Sequence, residues 1–445
     1  MSSVLEFVIE FDHDDAVYRP GDTVKGHVIV KLGHSTAVQH LTAMLLGRGQ
    51  TSTPGKQGEA IKEEVIYAKT EWACIEKPGK AIVEGTHTFA FTQRLPDSLP
   101  GSIEGQFGQI RYMIKAALSF VQGGSSITTL SARRAFTVLE TNDLNTVPQS
   151  LREPVVRSSV KKFGRFSCTG GQVKFTASVG RQAFVAGENV PINGRLENRS
   201  NNRVDKASAV LVMITTYLSS SGQPPRTDRF EVSEEALALF VDPGAVIKIE
   251  RNFALPALVS STPVDPALLE PQPVSGKRRQ QANRRKSGVV PPNQKQPPKP
   301  KANFRRIIQV SYELMLRVEV TEDDISDVFV PLIIGNVPIK NKSLVAQAPS
   351  SSAPLYRQPR SEKPISISRQ EETYACDKPH LMHTNRHPFF ADLPTSSKQS
   401  RKISTLVTVL KAEKALRKGI VRQARAADLL SNDQDPRAVN FSTVQ

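Results

Sequence analysis

The chain has 445 residues and a formal net charge of +16, and hydrophobic residues make up 38% of it. This length is sufficient for two or three domains. The 31 prolines and 26 glycines favour turns and short strands over long helices, because proline breaks helices. The three cysteines, which argue against a disulfide framework and for a reducing compartment, are Cys74, Cys168 and Cys376.

The start of the chain lacks the features of a secreted protein. Residues 1–15 include acidic residues and alternating apolar positions, without a basic region or a continuous apolar core. We therefore expect no signal peptide. No run of 18 apolar residues occurs, so we expect any association with a membrane to be peripheral.

The first 140 residues have the pattern of short β-strands. Apolar residues from Val24 to Val30 alternate with more polar ones, which is typical of half-buried strands. Before them, Arg19-Pro20-Gly21-Asp22 predicts a turn, because proline fixes φ and glycine allows positive φ. Further strands are predicted at Leu41–Leu46, Glu64–Tyr67, Gly85–Phe91, Ile110–Phe120 and Ala135–Leu139. This spacing indicates a β-sandwich or barrel.

A second block repeats the first. The pattern Tyr18-x-x-Gly21-Asp22-x-Val24 matches Phe184-x-x-Gly187-Glu188-x-Val190. Each block also has, near its end, a long predicted strand around a tyrosine, Tyr112 or Tyr312. Two copies of one sandwich explain this best. Chance similarity of turn residues is the alternative, because an aromatic residue before a Gly-acid turn is common.

The predicted organisation is all-β, with two tandem immunoglobulin-like sandwiches and a disordered C-terminal tail. The predicted segments are a first sandwich at 1–140, a linker at 141–162, a second sandwich at 163–340 and a tail at 341–445. Within the second sandwich, 263–302 is a basic, proline-rich insertion that we expect to be disordered. Within the tail, 402–430 has helical propensity.

Four motifs in order resemble the arrestin-domain-containing proteins, the α-arrestins. They are Val17–Gly26, Leu99–Tyr112, Ala186–Ile192 and Pro331–Pro338. The resemblance covers roughly residues 4–340. It implies two arrestin-type sandwiches with concave faces, which bind the cytoplasmic parts of membrane proteins. It also implies an adaptor without a cofactor or a small-molecule substrate.

Family members typically carry Pro-Pro-x-Tyr motifs that recruit ubiquitin ligases with WW domains, because a polyproline II segment docks on an aromatic groove. This chain has no intact copy. The nearest approach is Ala353-Pro354-Leu355-Tyr356, which lacks one proline. A ubiquitin ligase therefore remains only a candidate partner, with Pro354 and Tyr356 as its contacts.

Positive charge is concentrated in the predicted insertion. Between Gln272 and Arg306 there are eleven basic residues and no acidic ones. The densest part could bind anionic lipid, serve as a nuclear import or nucleic-acid-binding segment, or form only a solvated loop. Its candidate contact residues are Lys277, Arg278, Arg279, Arg284, Arg285 and Lys286.

The sequence does not indicate catalysis. Neither a nucleophile elbow, a zinc-protease motif, a phosphate loop nor a dinucleotide fingerprint is present, so we predict a protein that is not an enzyme. We also predict no metal site. A weak candidate has the right ligand types but is interrupted by prolines, and it consists of Cys376, His380, His383 and His387.

The tail contains a basic amphipathic pattern around Leu416 and Ile420. Such a helix could contact a membrane or a partner, or it could pack on the sandwiches or fray. Together these features predict an adaptor in the cytoplasm, peripheral to the plasma membrane or endosomes. The alternative is a nuclear or nucleic-acid-associated regulator that uses the basic insertion.

Overall fold

The computed structural model describes ten parts of the chain, about 69% of which is β-strand. The described residues are 3–55, 58–75, 79–122, 126–163, 171–219, 224–263, 304–320, 324–339, 360–364 and 385–390.

Two sheets that enclose an apolar core form the first domain. One sheet has the order β1-β3-β7, and the other has the order β2-β10-β9-β4-β5, with β6 on β4 and β8 on β9. The strands are β1 (Val4–Phe11), β2 (Val17–Tyr18), β3 (Thr23–Leu32), β4 (Thr36–Pro54), β5 (Ala60–Ala73), β6 (Lys80–Ile82), β7 (Gly85–Arg94), β8 (Ile103–Gly105), β9 (Gly108–Gln122) and β10 (Ser126–Val138).

The second domain has the same plan. One sheet has the order β11-β12-β14-β17 and the other β13-β19-β18-β15-β16. The strands are β11 (Val155–Lys162), β12 (Gly171–Val179), β13 (Ala183–Val185), β14 (Asn189–Ser200), β15 (Val204–Tyr217), β16 (Arg226–Val241), β17 (Val246–Ala254), β18 (Ile308–Glu319) and β19 (Ile325–Gly335).

The two domains are structural copies, which confirms the repeat read from the sequence. In each larger sheet a short strand, β2 or β13, pairs in parallel with the long strand that ends the domain. The predicted turn also occurs twice: φ is +85° at Gly21 and +92° at Gly187. In both turns the following carboxylate, Asp22 or Glu188, accepts a hydrogen bond from a backbone amide three residues before it.

The repeated tyrosines occupy equivalent places in the two cores. Tyr112 lies in β9 and Tyr312 in β18, and both side chains are buried. The hydroxyl of Tyr112 donates to the carbonyl of Pro100, and that of Tyr312 donates to the carbonyl of Val259. Burial raises the pKa of both phenols.

The predicted linker was too long. Residues 155–162 form β11, which pairs along its whole length with β12 of the second domain. Most of its side chains are exposed and only a few are apolar, as is usual for an edge strand. An alternating apolar pattern is therefore absent, and the connection between the domains is left with a short 3-10 helix at Gln149–Arg152.

The prediction of disorder across the whole tail was also wrong. Strand β20 (Arg360–Glu362) pairs antiparallel with strand β21 (His387–Phe389). The tail outside 360–364 and 385–390, including the predicted helix at 402–430, lies outside the described residues, as do residues 264–302 of the predicted insertion.

Candidate functional site

The two domains meet along a seam that begins at the β8–β9 hairpin. Phe107 at its tip packs edge-on against Tyr217 of β15, with ring centroids 5.6 Å apart. The amide of Phe107 also donates to the hydroxyl of Tyr217 at 3.2 Å. Gly105 is required beneath this contact, because a Cβ there would lie 2.4 Å from the tyrosine oxygen. The glycine-rich motif is thus structural.

Hydrogen bonds between polar groups stabilise the middle of the seam. The guanidinium of Arg306 donates two hydrogen bonds to the carboxylate of Glu140, at 2.6 and 2.9 Å. The amide side chain of Asn142 donates to the carbonyl of Ser261, and its backbone amide donates to Asn336. Paired charges and satisfied amides tolerate burial well, so these contacts hold the domains in one arrangement.

The outer face of the larger first-domain sheet carries an apolar strip. Leu46 of β4 lies opposite Met113 of β9, which lies opposite Ala135 of β10. All three side chains are buried although they point away from the sandwich core. Longer side chains around them therefore cover the strip.

Those longer side chains are basic. Arg48 and Lys115 lie on the same face as the strip, on β4 and β9, and Arg133 of β10 lies directly opposite Lys115. Partial burial lowers the pKa of Lys115, and the charges of Arg48 and Arg133 lower it further, while Glu64 acts in the opposite direction. We call Arg48, Lys115, Arg133 and the strip Leu46, Met113 and Ala135 the basic face.

The equivalent face of the second domain has the same apolar strip but a different charge arrangement. Its strip consists of Val210, Val212, Ile214 and Met315. Each cation beside it has a carboxylate partner: Lys206 with Glu234, Arg229 with Glu313, and Arg317 with Asp327. On the first-domain face, Arg111 lies opposite Arg48 and is paired with Glu104, whereas Arg48 and Lys115 form no ion pair with a described residue. The basic face is therefore the better surface for an anionic ligand.

Comparison with family models gives two matches that follow each other along the chain. Residues 7–145 match the N-terminal domain of arrestin (or S-antigen), and residues 169–339 match the C-terminal domain. The chain belongs to the arrestin domain-containing proteins. The motif-based assignment to the α-arrestins is therefore confirmed, as is the all-β fold.

Several arrestin domain-containing proteins are similar over part of their length. Arrestin domain-containing protein 4 of Mus musculus is 29% identical over 223 residues, covering 47% of this chain and 52% of the relative. Arrestin domain-containing protein 1 of Homo sapiens is 27% identical over 217 residues, covering 49% and 48%. The chain thus spans about half the length of the curated relatives it matches. In the described parts, no helix has the length and apolarity needed to cross a membrane.

Most of the sequence-predicted contact residues of this arrestin domain-containing chain lie outside the described residues. This applies to Lys277, Arg278, Arg279, Arg284, Arg285, Lys286, Pro354, Tyr356, Cys376, His380, His383, Leu416 and Ile420. The flanks of the insertion are described, and both lie at the seam. Thr262 lines a cavity together with Gly101 and Glu140 of the first domain, and Phe304 packs on Tyr67 with ring centroids 5.7 Å apart.

His387 is the one member of the weak metal candidate that is described. It lies at the seam, 3% exposed, where it lines a cavity of about 30 Å³ with Leu139 and Val259. Neither ring nitrogen has a hydrogen-bond partner among the described residues. Burial lowers the pKa of the imidazole to about 4, so it is neutral at physiological pH.

The burial of His387 predicts that acid weakens the docking of its segment, residues 385–390, between the two domains. A detached His387 takes up a proton below its ordinary pKa of 6.5, whereas the docked one does so only near 4. Docking is therefore strongest above pH 6.5 and weakens down to pH 4, by about tenfold between pH 7.5 and 5.5. The charged groups around the ring are Glu140 and Arg306 across the cavity, and Arg386 and Glu362 on the hairpin.

Hydrogen exchange of the Phe390 amide, corrected for the intrinsic effect of pH, measures this change. The control is His387→Phe, which keeps a ring in place but cannot titrate and should flatten the profile. An equal pH dependence in both proteins would show that another group is responsible.

Proposed function

We propose that the chain is an adaptor that binds cytoplasmic segments of membrane proteins and directs their endocytosis, sorting or ubiquitination. The basic face carries this proposal. The cations Arg48, Lys115 and Arg133 suit an extended peptide that carries carboxylates, because ionic contacts steer and orient a ligand. The aliphatic stems of these side chains, which cover the strip, can pack against apolar groups of the same peptide.

The location that we propose is the cytoplasm, at the plasma membrane or endosomes. The basic segment Lys277–Lys286 would add attraction to an anionic leaflet, at about 1 kcal/mol per basic residue near the surface. The described flanks of the insertion, Thr262 and Phe304, lie at the seam. The comparisons give no support to the nuclear alternative.

Ligase recruitment and the tail helix stay predictions. Pro354 and Tyr356 would contact a WW domain only weakly, because one proline of the motif is missing. Leu416 and Ile420 would supply the apolar side of a helix that contacts a membrane or a partner.

Peptide titration tests the proposed cargo chemistry. A labelled short peptide that alternates glutamate with leucine and serine should bind the full chain, and its affinity should fall as salt is raised. The control peptide has lysine in place of glutamate and should not bind. Equal binding of the two peptides, or an affinity independent of salt, would contradict the role of the basic face.

A further inference from the structure

The tail residues 385–390 lie in a groove that both domains line. The backbone amide of Arg386 donates to the hydroxyl of Thr137 in β10 of the first domain, at 3.1 Å. The backbone amide of Phe390 donates to the carbonyl of Ala186 in the second domain, at 2.8 Å. A six-residue segment thus spans the boundary between the domains.

A phenylalanine side chain anchors the segment. Phe390 is 7% exposed and packs in an apolar cluster with Leu144 of the interdomain connection and with Ala183 and Val185 of β13. Deeply buried aromatic anchors of this kind contribute much of the affinity in peptide complexes. The cluster therefore has the character of a pocket for one phenylalanine.

The tail backbone approaches the repeated glycine turn closely only in the second domain. A Cβ on Gly187 would lie 2.3 Å from the carbonyl oxygen of Phe390, so the tail backbone lies directly on this glycine turn. At the first-domain copy of the turn, Gly21, the nearest atom belongs to the Asp97 side chain at 3.1 Å. The repeated turn has thus acquired a docking role in one copy.

Some buried polar atoms of the docked segment lack hydrogen-bond partners, and this favours its replacement by another peptide. Asn385 and His387 are each 3% exposed, and the Oδ1 of Asn385 and both ring nitrogens of His387 lack partners among the described residues. Each such buried group opposes docking. Within the groove, the segment is held by its phenylalanine and by two backbone hydrogen bonds to the domains, and its pairing with β20 adds to these contacts.

We propose that this groove is a binding site for an extended peptide with a phenylalanine anchor. The chain's own residues 385–390 occupy it in the free protein, and a partner segment of the same chemistry can displace them. Because the segment contacts both domains and their connection, occupancy also fixes how the domains are arranged. The proposal is independent of the basic face and of the cargo that binds there.

Competition between the tail and a free peptide tests this site. The probe is a labelled synthetic peptide with the sequence of residues 383–392, added to the full chain carrying Phe390→Ala. It should bind this variant at least tenfold more tightly than the unmodified chain, because the attached segment competes at a local concentration of about millimolar.

Two controls define the outcome. Arg386→Ala should behave like the unmodified chain, because the exposed Arg386 side chain bonds only the carbonyl of Ser361 on the neighbouring strand, whereas its backbone amide makes the contact with Thr137. A peptide with alanine at position 390 should not bind the Phe390→Ala chain. Equal binding of the probe to all three chains, or no binding to the Phe390→Ala chain, would overturn the proposal.

A measurement on the unmodified chain covers the case in which the variant folds poorly. The amides of Arg386 and Phe390 should exchange with deuterium far more slowly than in the free peptide, because both are hydrogen-bonded in the groove. Exchange at the rate of the free peptide would show that the groove is unoccupied and would reject the proposed site.

Discussion

Replacing Arg111 with methionine should lower the free energy of unfolding of the first domain by about 3–5 kcal/mol. Arg111 donates two hydrogen bonds of 2.7 Å to the carboxylate of Glu104, whose side chain is 2% exposed. Methionine fills a similar volume but leaves a buried carboxylate without its guanidinium. The loss would also loosen the seam, because Glu104 immediately precedes Gly105 of the hairpin that contacts Tyr217.

Fluorescence of Trp72 during chemical denaturation measures this effect. Trp72 is the only tryptophan of the chain and packs on Phe91 in the first domain, at 5.7 Å, so its emission reports that domain alone. The control is the double variant Glu104→Leu/Arg111→Met, which should recover most of the stability because no charge is left buried. A double variant as unstable as the single one would show that packing, not charge, explains the loss.

Reversing the charge of the basic face should weaken binding of the acidic peptide on the order of 100-fold. The variant is Arg48→Glu/Lys115→Glu/Arg133→Glu. Exposed ionic contacts contribute up to about 1 kcal/mol each, and three lost contacts amount to about 3 kcal/mol. Fluorescence polarisation of the labelled peptide measures the change.

A matched control removes the effect of net charge. Lys25, Lys31 and Lys174 are exposed on the other sheets, and their replacement by glutamate changes the total charge equally but should leave affinity nearly intact. The milder variant Lys115→Gln/Arg133→Gln covers any loss of folding in the triple variant and should weaken binding about 30-fold. Similar effects from both triple variants would mean that the peptide senses only the overall charge.

The sequence predicted the sandwiches because their signals are local. Alternation from Val24 to Val30 and the turn at Gly21 depend on neighbours in the chain, and their repetition at Gly187 indicated the second copy. In β11 that signal fails, because an exposed edge strand needs few apolar residues.

The basic face was missed for a different reason. Arg48, Lys115 and Arg133 are far apart in sequence, and only the pairing of β4, β9 and β10 brings them to one face. In the sequence itself, the dense positive charge lies instead at Lys277–Lys286. The outward positions of the predicted strand Ile110–Phe120 could have indicated Lys115, since it alternates with the core residues Ile114 and Ala116.

The docked tail segment could not have been predicted from its residues. Asn385–Phe390 is short, and His387 entered only as a weak metal candidate. Its partners Thr137, Leu144 and Ala186 belong to three distant parts of the chain. Only the assembled seam gives the phenylalanine a pocket.

Photocrosslinking in living cells tests the adaptor account most directly. A photoreactive amino acid at Ala117, on the same outer face of β9 as Lys115, should capture cytoplasmic segments of integral membrane proteins. The same group at Thr88, which is exposed on β7, should not. Capture of the same proteins from both positions, or of no membrane protein from Ala117, would contradict the account.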